Sequence, residues 1–195
     1  MPEPHIVLAS GSPRRRELLS LMMLPFTTCP VDVDETFDPG LAIERNLVDT
    51  AEKKARAAQS ATAARAQGAV LLGADTTVVL DGIPLGKPSG YDDAFETLSR
   101  LQGKRHRVMT GFALVGSDGR SSTGIETTVV EFSPMRPEDI ERYVRSQRPY
   151  DKAGAYGIQD PLMSCFVQRI EGCYYNVVGL PVSRIHRTMR ETGLL

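Results

Sequence analysis

The first apolar run, Ile6-Val7-Leu8-Ala9, is cut off by Ser10-Gly11-Ser12-Pro13, and beyond it the chain changes to helical spacing. That switch of period constrains the fold more than any bulk property, because a short β-favouring strand must feed a glycine-containing loop and then a helix. Ser12 suits the helix N-cap and Pro13 the first helical position, after which Leu18, Leu19, Met22 and Met23 recur on one face. The stretch from about Ala42 to Gln67 is rich in Ala, Glu, Lys and Arg, with Gly68 as a stop, and reads as a long helix. Ala69-Val70-Leu71-Leu72 then begins a buried strand. After Gly73-Ala74-Asp75 the β-branched run Thr76-Thr77-Val78-Val79 continues toward Asp81-Gly82, a strong hairpin-turn signal.

Further on, Gly86-Lys87-Pro88 reads as a loop, Asp92 to Leu101 as a short helix, and Arg107 to Val115 as a strand closed by Ser117-Asp118-Gly119. Thr127 to Phe132 reads as its antiparallel partner, and Pro137-Glu138-Asp139 opens a helix through about Arg145. After a glycine-rich stretch at Ala153 to Gly157, strands are expected near Phe166 to Ile170 and Tyr174 to Val178, followed by a final helix from Val182 to Thr192. Crossovers mixed with hairpins favour an α/β or α+β fold with a mixed sheet. Residues 1–195 read as one domain, with no internal repeat or linker.

With 24 acidic against 23 basic side chains, no general attraction to nucleic acid or membrane is expected, so any anion site must be local. Cys29, Cys165 and Cys173 are odd in number and lack metal-ligand spacing, which suits a reducing cytoplasm. The N-terminus carries no basic region followed by a long apolar run, and the chain is expected to be soluble and unprocessed.

The segment most suited to chemistry is Ser10-Gly11-Ser12-Pro13-Arg14-Arg15-Arg16, where backbone N–H groups at a helix start, hydroxyls and arginine forks all match phosphate. A capped helix with solvated arginines is the alternative, and the standard phosphate-loop pattern is absent. Asp75 sits where a carboxylate leaving a sheet can bind a metal or activate water, or can simply cap a turn. Lys87 between Gly86 and Pro88 is either a pre-positioned ammonium or a solvated loop lysine, and Asp34-Glu35 either a carboxylate pair or a surface acidic turn. Asp151-Lys152 precedes glycines that would let a backbone approach a ligand, though a plain loop explains it equally. His106 and His186 have no Ser or Cys partner in a nucleophile arrangement, and Cys165 and Cys173 read as core or strand residues.

Five blocks, in order across nearly the whole chain, resemble the Maf family of nucleotide pyrophosphatases. They are Leu8 to Arg15, Gly73-Ala74-Asp75-Thr76, Gly86-Lys87-Pro88, Asp151-Lys152-Ala153-Gly154-Ala155-Tyr156-Gly157-Ile158-Gln159, and Asn176-Val177-Val178-Gly179-Leu180-Pro181. The resemblance implies a mixed, elongated central sheet flanked by helices, with a cleft between two lobes. It also implies divalent-metal dependence (Mg²⁺ or Mn²⁺), frequent homodimerisation, and release of pyrophosphate from nucleoside triphosphates.

Ala74-Asp75-Thr76 and the Asp151 to Gln159 block look like the branch acting on dTTP and UTP rather than the branch acting on 7-methyl-GTP, which carries Ser-Asp-Gln at the first place. Asp160-Pro161-Leu162-Met163 departs from a more glycine-rich continuation. The implied roles are Asp75 as proton acceptor and metal contact, Glu35 as second metal contact, Arg14, Lys54 and Lys87 as charge partners of the triphosphate, and Lys152 as a substrate-binding and specificity residue. Ser10 and the backbone near Ser12 would cradle phosphate oxygens, Gln159 would face the base, and Thr76 with Arg14 would help fix the nucleotide beside it. The rival classes are a non-catalytic nucleotide-binding regulator of septum formation and a phosphatase that clips the terminal phosphate.

Overall fold

The computed structural model describes residues 4–61 and 68–195, so the last turns of the long helix expected to reach Gln67 lie outside the described residues. It divides into two compact units. The first comprises Met1–Asp75, Thr110–Glu126 and Gly179–Leu195, the second Thr76–Met109 and Thr127–Val178.

In chain order, β1 (Ile6–Leu8) leads to α1 (Pro13–Ser20), β2 (Phe26–Thr28), α2 (Ile43–Ala61), β3 (Val70–Leu80), β4 (Ile83–Leu85) and α3 (Tyr91–Leu101). Then come β5 (Arg105–Val115), β6 (Ser121–Phe132), α4 (Pro137–Gln147), β7 (Val167–Glu171), α5 (Tyr174–Val178) and α6 (Val182–Glu191). The strands form one seven-stranded sheet in the order β2-β1-β3-β5-β6-β7, with β4 added to β3. β1 runs parallel to β2 and β3, while β3–β4 and β6–β7 are antiparallel, so the fold is mixed α/β.

The first unit's core is built from small side chains. Ala51, Ala55 and Ala58 of α2 meet Val7, Ala9, Leu71, Ala113 and Val115. Gly73 and Gly111 permit that approach: a Cβ on Gly73 would stand 2.0 Å from the Ala51 carbonyl oxygen, and one on Gly111 2.7 Å from that of Leu47. The helix backbone therefore rests directly on two strands. The second unit has larger core residues, among them Leu98, Leu101, Phe132, Ile140, Tyr143 and Tyr156.

Two local expectations are corrected. Met22 and Met23 do not extend the buried face of α1, which ends at Ser20. Met23 is 88% exposed and takes a left-handed φ of 54°. Pro25 disfavours helical conformation at Leu24, so the chain has to turn before it. Tyr174–Val178 is not a strand but the short helix α5. Its β-branched valines favour a strand, but buried Asn176 donates from Nδ2 to the Val108 carbonyl and to Thr128 Oγ1, each at 3.0 Å. The Cys173 carbonyl accepts the amides of Asn176 and Val177, so tertiary anchoring prevails over propensity.

Candidate active site

In the first unit the loop between β1 and α1 is pinned by its own hydroxyls. Ser10 Oγ accepts the Ser12 amide at 3.1 Å, and Ser12, the N-cap of α1, accepts the Arg15 amide at 3.4 Å. Each hydroxyl keeps its own O–H as a donor. Ser10, Gly11, Ser12, Arg16, Thr28 and Pro30 line a small hollow at this helix start, where backbone N–H groups favour an anion.

Asp75 is not at a strand end. It lies within β3, 8% exposed, on the face that packs against α2. Lys54 of α2 is buried as deeply, at 6%, on the same helical face as Ala51, Ala55 and Ala58. Its ammonium donates to Asp75 Oδ1 at 2.8 Å and pairs with Glu35 Oε1, also at 2.8 Å. Two carboxylates from distant parts of the sequence thus face one cation.

Arg15 belongs to this cluster although the sequence pointed to Arg14. Its Nε donates to the Gly179 carbonyl at 3.0 Å. Burial holds its guanidinium below the ordinary arginine pKa, opposed by the Asp75 and Glu35 carboxylates, while neighbouring Arg14 adds to the lowering. No residue pattern within Arg14-Arg15-Arg16 marks which arginine turns toward the acids, so this contact was not legible locally. Thr76 follows Asp75 in a pleated strand, so its side chain lies on the opposite face of β3.

The other residues singled out in the sequence lie in the second unit. Lys87 is exposed in a loop where the Gly86 carbonyl accepts the Gly154 amide at 3.0 Å. Lys152 Nζ pairs with Asp151 at 2.9 Å and lies 3.7 Å from Asp160 Oδ2. Gln159 is exposed after a run of five buried residues, Gly154 to Ile158. Leu162, within the departure from the glycine-rich pattern, adopts φ 70°, a conformation that favours glycine.

Among the described residues no group of three or more His, Cys, Asp or Glu side chains is gathered to hold a metal. Asp75 and Glu35 nevertheless fit a hard divalent cation, which is commonly held by one or two carboxylates together with substrate phosphate oxygens.

Comparison with known proteins gives a consistent picture. The model of the family described as Maf-like protein matches residues 5–192. The dTTP/UTP pyrophosphatase of Chlorobaculum tepidum is 52% identical over 185 residues, covering 95% of this chain and 93% of the relative. The dTTP/UTP pyrophosphatase of Halalkalibacterium halodurans is 44% identical over 188 residues, covering 96% of each. Among solved structures, a HAM1 protein from Coxiella burnetii shares the fold with a TM-score of 0.51 at 17% identity, covering 96% of this chain and 99% of that one.

Proposed function

The chain belongs to the Maf family, and from that premise we propose that it hydrolyses dTTP and UTP to the nucleoside monophosphate and pyrophosphate. The observation that carries this reading is the buried Asp75 carboxylate, fixed by the Lys54 ammonium with Glu35 on the same nitrogen. A water molecule attacks the α-phosphorus, the new P–O bond forms as the bond to the β-phosphate bridging oxygen breaks, and pyrophosphate leaves. Asp75 takes the proton released by the water, then returns it to solvent.

Asp75 and Glu35 would hold Mg²⁺ or Mn²⁺, which would supply positive charge against the triphosphate and Lewis-acid polarisation of the phosphoryl group. Ser10 and Ser12 hold phosphate oxygens at the start of α1, with Arg14 and Lys54 sharing the negative charge. Lys87 shares that charge, Lys152 contacts the substrate, and Gln159 reads the base with Thr76 helping to fix the nucleotide beside it. A glutamine amide offers one acceptor and two donors, enough to match the N3–H and an adjacent carbonyl of thymine or uracil. The three cysteines, none in a disulfide, suit a cytoplasmic enzyme.

The test is product identification with dTTP, UTP, CTP and 7-methyl-GTP in the presence of Mg²⁺ or Mn²⁺. Thymidine monophosphate and pyrophosphate from dTTP, with UTP close behind, are the expected products. Orthophosphate with the diphosphate, a preference for 7-methyl-GTP, or binding without turnover would each overturn the proposal.

A further inference from the structure

Gln159 stands exposed on a loop whose neighbours on both sides are tied to one phenol. Tyr143, on α4 and 1% exposed, donates its hydroxyl to Asp160 Oδ2 at 2.7 Å and accepts the Gly157 amide at 3.1 Å on the same oxygen. Residues 157 and 160 are thus held by a single atom, and the residues between them cannot shift without breaking one of those bonds. The Asp160 amide closes the same turn on the Gly157 carbonyl at 3.0 Å. Asp160 also lies over Gly157, where a Cβ would stand 2.5 Å from Asp160 Oδ1, so residue 157 must be glycine for the carboxylate to sit there.

The oxygen that accepts from Tyr143, Asp160 Oδ2, lies 3.7 Å from Lys152 Nζ. One turn earlier, Tyr156 Oη is 2.8 Å from His106 Nε2, with both rings packed edge-on against Phe132. An exposed side chain on a loop anchored at 156, 157 and 160 is aimed rather than merely available.

We propose that Tyr143 and Asp160 are positioning residues for base selection: together they fix the direction of Gln159 and tether Lys152 to the same loop. The proposal rests on the reading that Gln159 faces the base. An ionised carboxylate can only accept hydrogen bonds, and its Oδ2 faces two donor groups, the Tyr143 O–H and the Lys152 ammonium. Asparagine at 160 keeps the acceptor for Tyr143 but loses the charge facing Lys152. Phenylalanine at 143 keeps the ring in the core and loses both bonds.

The test compares wild type with Tyr143→Phe, Asp160→Ala, Asp160→Asn and Gln159→Glu. The readouts are kcat and KM for dTTP, UTP and CTP, the melting temperature, and hydrogen exchange of the Gly157 amide. Tyr143→Phe and Asp160→Ala are expected to raise KM for dTTP and UTP with kcat changed less than about threefold. They should narrow the preference for dTTP over CTP by about 10- to 100-fold, the scale of a sub-ångström to 1 Å misplacement, and speed exchange at Gly157. Asp160→Asn should restore most of the base preference without restoring KM, because only the tether to Lys152 is lost.

Lowered melting temperatures with an unchanged ratio of dTTP to CTP would show that the clasp is merely structural and would overturn the proposal. If Gln159→Glu leaves the base ranking untouched, the reading of Gln159 falls and the proposal with it. If Gln159→Glu alters the ranking and the clasp variants do not, only the clasp is wrong.

Discussion

Replacing Lys54 by methionine removes one charge from the centre of the candidate active site while keeping an unbranched stem of similar length. In the wild type the ammonium lies 2.8 Å from both Asp75 Oδ1 and Glu35 Oε1. The two carboxylates respond differently to its loss. The Glu35 side chain is 43% exposed and turns to water, whereas that of Asp75 is 11% exposed and stays in a buried strand without its partner. Removing one partner of a buried pair costs about 3–5 kcal/mol, most of it from the stranded charge. Arg15 acts on the same carboxylate and takes up part of that cost, which places the expected loss near the lower end, at about 3 kcal/mol. For a chain of this size that corresponds to a melting temperature lowered by about 6–12 °C. Thermal unfolding in metal-free buffer measures it, and exposed Lys53, one residue earlier, is the control, expected to shift by no more than about 2 °C on the same substitution. Adding Mn²⁺ should recover more stability in Lys54→Met than in wild type, since a cation held by the same two carboxylates replaces the missing charge. A Lys54→Met protein that melts within about 2 °C of wild type, or that gains nothing extra from Mn²⁺, would refute both the burial argument and the shared-cation argument.

Asp75→Asn should still bind dTTP in a calorimetric titration but lose about 100-fold or more in kcat, because the amide cannot accept the proton. Arg14→Ala and Arg15→Ala should each impair turnover of triphosphates, whereas Arg120→Ala, whose side chain is 90% exposed beside Asp118, should leave kcat/KM unchanged. Gly73→Ala should lower stability by about 1–3 kcal/mol in urea titrations and depress activity with it, because the new methyl group would push α2, and so Lys54, away from β3. Burial lowers the His106 pKa to about 4 from 6.5, so the folded protein resists protonation that the unfolded chain accepts. This contribution to stability is fully present above about pH 6.5, is lost progressively down to about pH 4, and totals about 3 kcal/mol; the difference in urea midpoint between wild type and His106→Gln across that window measures it.

What was legible in the sequence was chemistry confined to a few neighbouring residues. Ser12 and Pro13 set the start of α1 because a cap and a fixed φ act locally. Asp81 and Gly82 take φ values of 51° and 80°, the left-handed pair that a tight hairpin requires, so β4 pairs with β3 where the dipeptide says it should. Pro137 with Glu138 and Asp139 opens α4 for the same kind of reason. The failures came where a distant partner decides. Nothing within Tyr174–Val178 announces that Asn176 will be drawn in by Val108 and Thr128, residues far away in sequence. The premature end of α1 was a missed local signal, since Pro25 already argued against helix at Leu24.

The candidate site divides along the same line. The anion loop is local and could be read directly, but an alanine-rich helix does not by itself show which of its lysines faces inward. The spacing does: Ala51, Lys54, Ala55 and Ala58 follow the i, i+3, i+4, i+7 stripe of one helical face, while Lys53 falls off it. A lysine on a stripe otherwise made of small apolar residues needs a carboxylate opposite, because burying an ammonium unpaired costs far more than the helix can offset. Asp75, two residues after the glycine that lets β3 touch α2, is the carboxylate that the strand places there. The small residues and the charged pair are therefore one device: Ala51 and Gly73 set a helix-to-strand distance short enough for a lysine to be buried at full reach of an aspartate. Enlarging either small residue should disturb the ion pair before it disturbs the rest of the fold.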